Sequence, residues 1–274
     1  MTVERVRARL ARVPFHAYKQ TMVRAVVPAR RAGRARHLDE LVPDAATVVT
    51  VNWNTLRHLQ VLHTMVRRHS PAGTPIVVVD NASTDGSQAW IRAQPDLQGR
   101  FLRYNLHHGP AADLGALDVR TEFLVLLDVD AFPLSDEWLP AVLDPLRAGC
   151  TVAGGHIHRQ YVHPSYLAMR TRDFVTRRHS FSMVGQWRKG VKGGGEGFRD
   201  AGEDISVRER ERFGPDTTHF VPVTETRGPG MLGTVFGDLV YHNFFATGYG
   251  TAKDRTEQTG AAWDDAVARY VERG

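Results

Sequence analysis

The sequence predicts an α/β fold, a mixed and mostly parallel sheet flanked by helices. Strand and helix signals alternate from Thr47 onward, which implies parallel pairing through helical crossovers. Ile76-Val77-Val78-Val79 and Phe123-Leu124-Val125-Leu126-Leu127 are apolar without interruption, as strands buried on both faces are. Polar clusters around Asn52, Asp80 and Asp128 stand at the carboxyl ends of these strands, where open α/β sheets bind ligands.

The elements follow in order. Thr47-Val48-Val49-Thr50-Val51 is β-branched and bounded by polar residues, which predicts the first strand. Asn54 or Thr55 is placed to cap a helix that turns Leu56, Leu59, Leu62 and Val66 inward. A second strand, Ile76–Val79, runs into the polar loop Asp80–Ser87. A helix through Trp90 and Ile91 precedes a short strand near Phe101-Leu102, and a helix through Leu114 and Leu117 leads into the strand that stops at Asp128. The second half is less regular: a helix over Glu137–Leu146, a strand over Val152–Ile157, and a glycine-rich connection over Lys189–Gly197. That connection lacks the spacing of a phosphate-cradling loop, so it reads as a lid or a simple linker. Glu203–Arg212 is a helix stopped by Gly214, and a final helix runs from near Gly260 to Val271.

Composition narrows the class. A hydrophobic share of 42% and a charged share of 24% over 274 residues suit one sizeable globular domain. The single cysteine, Cys150, excludes an internal disulfide framework and points to a reducing compartment. With no long apolar span and no secretory leader, the expectation is a cytoplasmic protein. The net charge of +5 is concentrated in residues 1–37, where Arg5 through Arg36 face the single acid Glu4. Val3, Val6 and Leu10 recur at helical spacing there. The arm is read as a helix packed on the body with solvated arginines, as a partly disordered segment, or as a peripheral contact with an anionic membrane surface. Nucleic acid is not expected, because stacking aromatics do not interleave with the arginines.

Asp128 and Asp130 carry the most information. In extended geometry residues two apart point the same way, so both carboxylates can reach one ion or ligand. Two acids at a buried strand end are costly unless a cation meets them. A divalent metal carrying a diphosphate satisfies that requirement; an ordinary polar turn through Ala131-Phe132-Pro133 is the bland alternative. His156, His158 and His163 lack the cysteines and fourth ligand of a zinc site and read as structural or surface residues. Trp187 is read either as a sugar-stacking residue or as packing.

Several motifs in order resemble the inverting family 2 glycosyltransferases of the GT-A fold, over roughly Thr47 to Tyr249. Val49-Thr50-Val51-Asn52-Trp53-Asn54 is similar to the family's first strand and turn, and Val78-Val79-Asp80-Asn81-Ala82-Ser83-Thr84-Asp85-Gly86-Ser87 to its second-strand signature. His108-Gly109-Pro110-Ala111-Ala112-Asp113-Leu114-Gly115 resembles its glycine/alanine/asparagine stretch, with Asp113 where asparagine is usual. Asp128-Val129-Asp130 matches its metal motif, and Glu203-Asp204 its acidic pair at the head of a helix. His163-Pro164-Ser165 and Tyr241-His242 resemble later positions more loosely.

Charge marks off a basic arm over 1–45; the resemblance implies a GT-A domain over 46–250 divided near residue 135 into nucleotide-binding and acceptor-side halves, and a C-terminal helix over 251–274 follows. It implies a metal-dependent inverting transfer from a nucleoside-diphosphate sugar, UDP-linked, to an acceptor hydroxyl of a natural product, a lipid-linked glycan or a polysaccharide. Asp130 and His242 would bind Mn²⁺ or Mg²⁺, while Asp128 would contact ribose or metal-bound water. Thr50, Asn52, Asp80 and Asp113 would frame the nucleotide sugar. Asp204 would be the catalytic base, with Glu203 behind it and Asp200 third. Two alternatives stay open: a nucleotide-sugar-binding domain without turnover, and a nucleotidyltransferase. The second is disfavoured because Asn52-Trp53-Asn54-Thr55 stands where such enzymes carry a glycine-rich basic loop.

Overall fold

The computed structural model describes residues 14–157, 161–182, 200–228, 231–244 and 253–272. Val3, Val6 and Leu10 of the arm, His158, Trp187 and the glycine-rich connection lie outside these residues.

Helical residues 14–21 (α1) open the described chain. The next turn, Met22–Val26, widens to a π-helix just before α2 (Val27–Ala35), whose second residue, Pro28, has no N–H to donate. The sheet strands are β1 (Val42–Asn52), β2 (Ile76–Asp80), β3 (Leu97–Phe101), β4 (Thr121–Leu127), β5 (Ala131–Pro133), β6 (Val152–His156), β7 (Tyr166–Arg170), β8 (Thr218–Thr226), β9 (Thr234–Phe236) and β10 (Val240–His242). The helices between and after them are α3 (Leu56–His69), α4 (Ser87–Ala93), α5 (His108–Ala116), α6 (Pro140–Arg147), α7 (Thr171–Thr176), α8 (Glu203–Phe213) and α9 (Lys253–Ala266).

The ten strands form one sheet in the order β3-β2-β1-β4-β7-β6-β8-β9-β10-β5. The parallel pairing expected from the alternating signals runs through β3-β2-β1-β4. Beyond β4 the sheet is mainly antiparallel, with one parallel pair, β6 with β8. Only nine residues, 157–165, join β6 to β7, and the two strands run antiparallel.

Successive residues of a strand face opposite sides, and both sides are dry. Val48, Val78 and Val125 pack with Leu59, Leu62 and Val66 of α3 and with Val142 and Leu146 of α6. Val49, Val79, Leu124 and Leu126 pack on the other side with Leu114 of α5, Phe174 of α7, and Met22 and Val26 of the N-terminal helix. α5 approaches the sheet so closely that a Cβ on Gly115 would sit 2.6 Å from Val49 Cγ1, a distance only glycine tolerates.

The described part of the basic arm is bound to the body. Arg31 donates to the carbonyls of Phe174 and His179, and Arg30 pairs with buried Asp118. Lys19 is only 5% exposed. These basic residues are therefore not a solvated face. At the other end, α9 closes a satellite core in which Trp263 meets Phe132 and Tyr241.

Candidate active site

β4 stops at the site because its pairing stops there. Leu127 is the last residue opposite β7, and the Asp128 N–H then donates to the Ser165 carbonyl at 3.3 Å. The chain turns, with the Ala131 N–H reaching back to the Asp128 carbonyl at 2.9 Å. β5 follows and pairs with β10 so that Ala131 stands opposite His242. The Asn243 N–H donates to the Asp130 carbonyl at 2.9 Å and locks that register. In this way two three-residue strands bring a distant histidine beside the aspartates.

Asp128, Asp130 and His242 each offer a ligand atom within 4.8 Å of the others. His242 Nε2 lies 3.3 Å from Asp130 Oδ1 and 3.6 Å from Asp128 Oδ2. Burial, the largest single influence, pushes the His242 imidazole down, but Asp130, Asp128 and Asp200 together push it up, and the net shift is upward. The neighbouring aspartates thus outweigh the burial of the imidazole. Asp128 Oδ1 and His242 Nδ1 are buried without a hydrogen-bond partner. Two carboxylates and one imidazole fit a Mg²⁺ or Mn²⁺ ion, which prefers oxygen donors.

A connected network stands at the ends of β1 and β2, where Asn52 is registered opposite Asp80. Asp80 is fully buried and accepts from Asn52 Nδ2, the Ser83 N–H and Gln88 Nε2, each at 2.9 Å. Asn52 also accepts from the Thr55 hydroxyl at 2.8 Å. Thr50 Oγ1 is buried without a hydrogen-bond partner. Asp113 is directed elsewhere. It lies on the inner face of α5, where its oxygens accept from the Ser180 hydroxyl (2.5 Å), the Phe181 N–H (2.7 Å) and the Ser182 hydroxyl (3.1 Å). It holds the 180–182 segment against the helix.

Glu203 and Asp204 open α8 as expected, with different surroundings. Glu203 is buried and accepts the Asp200 N–H at 2.9 Å. Asp204 pairs with the exposed Arg208 one turn on, at 2.6 Å. Asp200 faces the site more directly: His163 Nε2 and the Tyr161 hydroxyl each lie 3.3 Å from its Oδ2. The Ser165 N–H donates to His163 Nδ1, which leaves Nε2 as the protonated nitrogen that faces Asp200. Burial would raise the Asp200 carboxyl, but His163, the Ala201 N–H and His108 outweigh it and hold it below the usual carboxylate range. The His163 and His242 rings are 5.5 Å apart.

Sequence reasoning passed over His108 and ranked His163 and Asp200 low. No spacing in the chain foretells their meeting, which depends on the approach of α5 and β7 to β4. Four other histidines have local partners: His58 rests on Trp263, His63 and His69 pair with Asp96 and Asp136, and His156 rests on Phe220.

A family model for glycosyl transferase family 2 matches residues 47–225, most of the chain. The protein belongs to glycosyl transferase family 2. The mannosyltransferase PcManGT from Pyrobaculum calidifontis, solved with GDP-Man and Mn²⁺, is 15% identical, with a TM-score of 0.50 over 92% of this chain and 87% of that one. S. aureus TarS 1-349 is 13% identical, with a TM-score of 0.47 over 84% and 74% of the two chains. Its complex with UDP-GlcNAc is 12% identical, with a TM-score of 0.49 over 83% and 67%. At such identities the likeness to the mannosyltransferase establishes the GT-A fold and no more. No curated protein matches the sequence. Among the described residues, no helix of this family 2 chain is long and apolar enough to cross a membrane.

Proposed function

We propose that this glycosyltransferase is metal-dependent and inverting, and that it moves a sugar from a UDP-linked donor to an acceptor hydroxyl. The observation that carries the reading is the convergence of Asp128, Asp130 and His242 at the carboxyl end of β4 in a chain of this family. Asp130, His242 and Asp128 would hold Mn²⁺ or Mg²⁺. A bound divalent ion neutralises the charge that develops on a diphosphate leaving group. Asn52, Thr50 and Asp80 close the base side of the crevice.

Inversion in one displacement requires a carboxylate to take the proton from the acceptor hydroxyl as its oxygen attacks. Asp204 is assigned that role. It stands in the first turn of α8, where its carboxylate pairs with Arg208 one turn on at 2.6 Å. Glu203, buried against the Asp200 N–H, holds the start of α8. Asp200 is the second candidate, favoured by its contacts with His163 and Tyr161.

The test is release of UDP from a panel of UDP-sugars by wild type, Asp204→Asn and Asp200→Asn, with Mn²⁺-dependent UDP affinity measured in parallel. We expect Asp204→Asn to bind UDP as wild type does and to lose turnover by 100-fold or more, on the order of 10²–10⁴ for a missing general base. If Asp200→Asn loses turnover and Asp204→Asn does not, Asp200 is the base. Tight Mn²⁺-dependent UDP binding with no turnover on any donor or acceptor would favour the non-catalytic reading.

A further inference from the structure

We propose that His108 is a positioning residue for the metal centre, holding Asp128 in the orientation in which it serves the cation. The inference rests on the reading of Asp128, Asp130 and His242 as the metal-holding group. Asp128 has one oxygen for each of two neighbours. Its Oδ2 faces His242 Nε2 at 3.6 Å, and its Oδ1 faces His108 Nε2 at 3.4 Å. His108 Nε2 and Asp128 Oδ1 are both buried and both lack a hydrogen-bond partner. A buried polar atom left unpaired costs about 1–3 kcal/mol, and these two atoms are complementary and within a small rotation of each other. His108 falls outside the group of mutually close ligand atoms, which comprises Asp128, Asp130 and His242. It stands behind the carboxylate, as outer-shell partners do in metal sites.

The backbone aims His108 at this position against a local penalty. His107, immediately before α5, has φ 67° and ψ 171°, a region that essentially only glycine occupies. For another residue such a conformation costs on the order of 1–3 kcal/mol and persists only where the surroundings over-determine it. They do so here. Buried Asn81 donates to Asn105 Oδ1 (3.0 Å) and to the His107 carbonyl (3.2 Å), and accepts the Leu106 N–H at 2.7 Å. Asn105 Oδ1 in turn accepts the His107 N–H at 2.7 Å. On the other side of His108, a Cβ at Gly109 would lie 2.4 Å from the Phe181 carbonyl oxygen, so the first turn of α5 is pressed onto that segment. The β2 signature thereby reaches the metal side: Asn81 fixes the turn, the turn fixes His108, and His108 fixes Asp128.

The experiment is a titration of the full chain with Mn²⁺, followed by the electron paramagnetic resonance of the free ion, with and without UDP. Melting temperatures are taken on the same samples. We expect His108→Ala to weaken Mn²⁺ binding roughly 10–100-fold, as loss of an outer-shell partner does, at an unchanged melting temperature. His108→Gln, whose amide N–H reaches the same oxygen, should recover most of the affinity. In an Asp128→Asn background His108→Ala should add no further loss. If His108→Ala fails to fold, His108→Asn, with an amide too short to reach Asp128, takes its place with the same expected loss. Wild-type affinity in these variants, or a loss that adds fully to that of Asp128→Asn, overturns the role of His108. A wild-type chain that binds no Mn²⁺ in either condition overturns the metal reading beneath it.

Discussion

Asp113 and Asp128 are both carboxylates in apolar surroundings, and the molecule treats them in opposite ways. Asp113 is pushed up by burial, against the pull of Ser180, the Phe181 N–H, Arg31 and Ser182, and its oxygens accept three hydrogen bonds. Asp128 accepts no such set: its Oδ1 faces His108 Nε2 at 3.4 Å and its Oδ2 faces His242 Nε2 at 3.6 Å. A satisfied buried acid holds structure, whereas an unsatisfied one in a shared cluster marks a place for something that arrives later. Asp113→Ala should therefore lower stability by about 1–3 kcal/mol in urea denaturation, because three donors lose their acceptor, and leave Mn²⁺ affinity unchanged. An Asp113→Ala variant of normal stability with weakened UDP binding would return Asp113 to the nucleotide site. Residue identity alone could not separate the two aspartates. The difference lies in what segment 180–182 and His108 present to them.

Long apolar elements were legible and short paired ones were not. β1, β2 and β4 lie where β-branched and apolar runs predict them, and α3 and α8 start within a residue of their expected first turns. β5, β9 and β10 have three residues each, too few for a period, and exist because they pair with one another. The register of β10 on β5 sets His242 beside Asp130, so the metal cluster was only half legible from the Asp-x-Asp spacing. Helix α1 illustrates the same limit. Its Lys19 looks like one of many solvated cations in the sequence, yet burial lowers its ammonium to about 8 from the ordinary 10.5. The folded chain gives up this proton near pH 8 while the unfolded chain keeps it until about 10.5, so Lys19 opposes folding below pH 8 and ceases to do so as pH rises between those values. Lys19→Met should raise the melting temperature at pH 7, and the advantage should shrink steadily toward pH 10. A difference constant over that range would show that the charge of Lys19 is not desolvated.

At the scale of the whole molecule, a parallel half and an antiparallel half share one continuous sheet, and the candidate site lies where they join at β4. The network at Asn52 and Asp80 belongs to the first half, and His163, Asp200 and α8 to the second. Asp128 and Asp130 stand between them and would link donor to acceptor through one ion. The most direct measurement of that claim is the thermal stability of wild type and Asp130→Ala with UDP, GDP and dTDP, each with and without Mn²⁺. A ligand that binds only the folded chain raises the melting temperature by mass action. The account predicts a rise for wild type with UDP that requires Mn²⁺ and is absent in Asp130→Ala. A rise that is equal without Mn²⁺, or one that survives in Asp130→Ala, would contradict it.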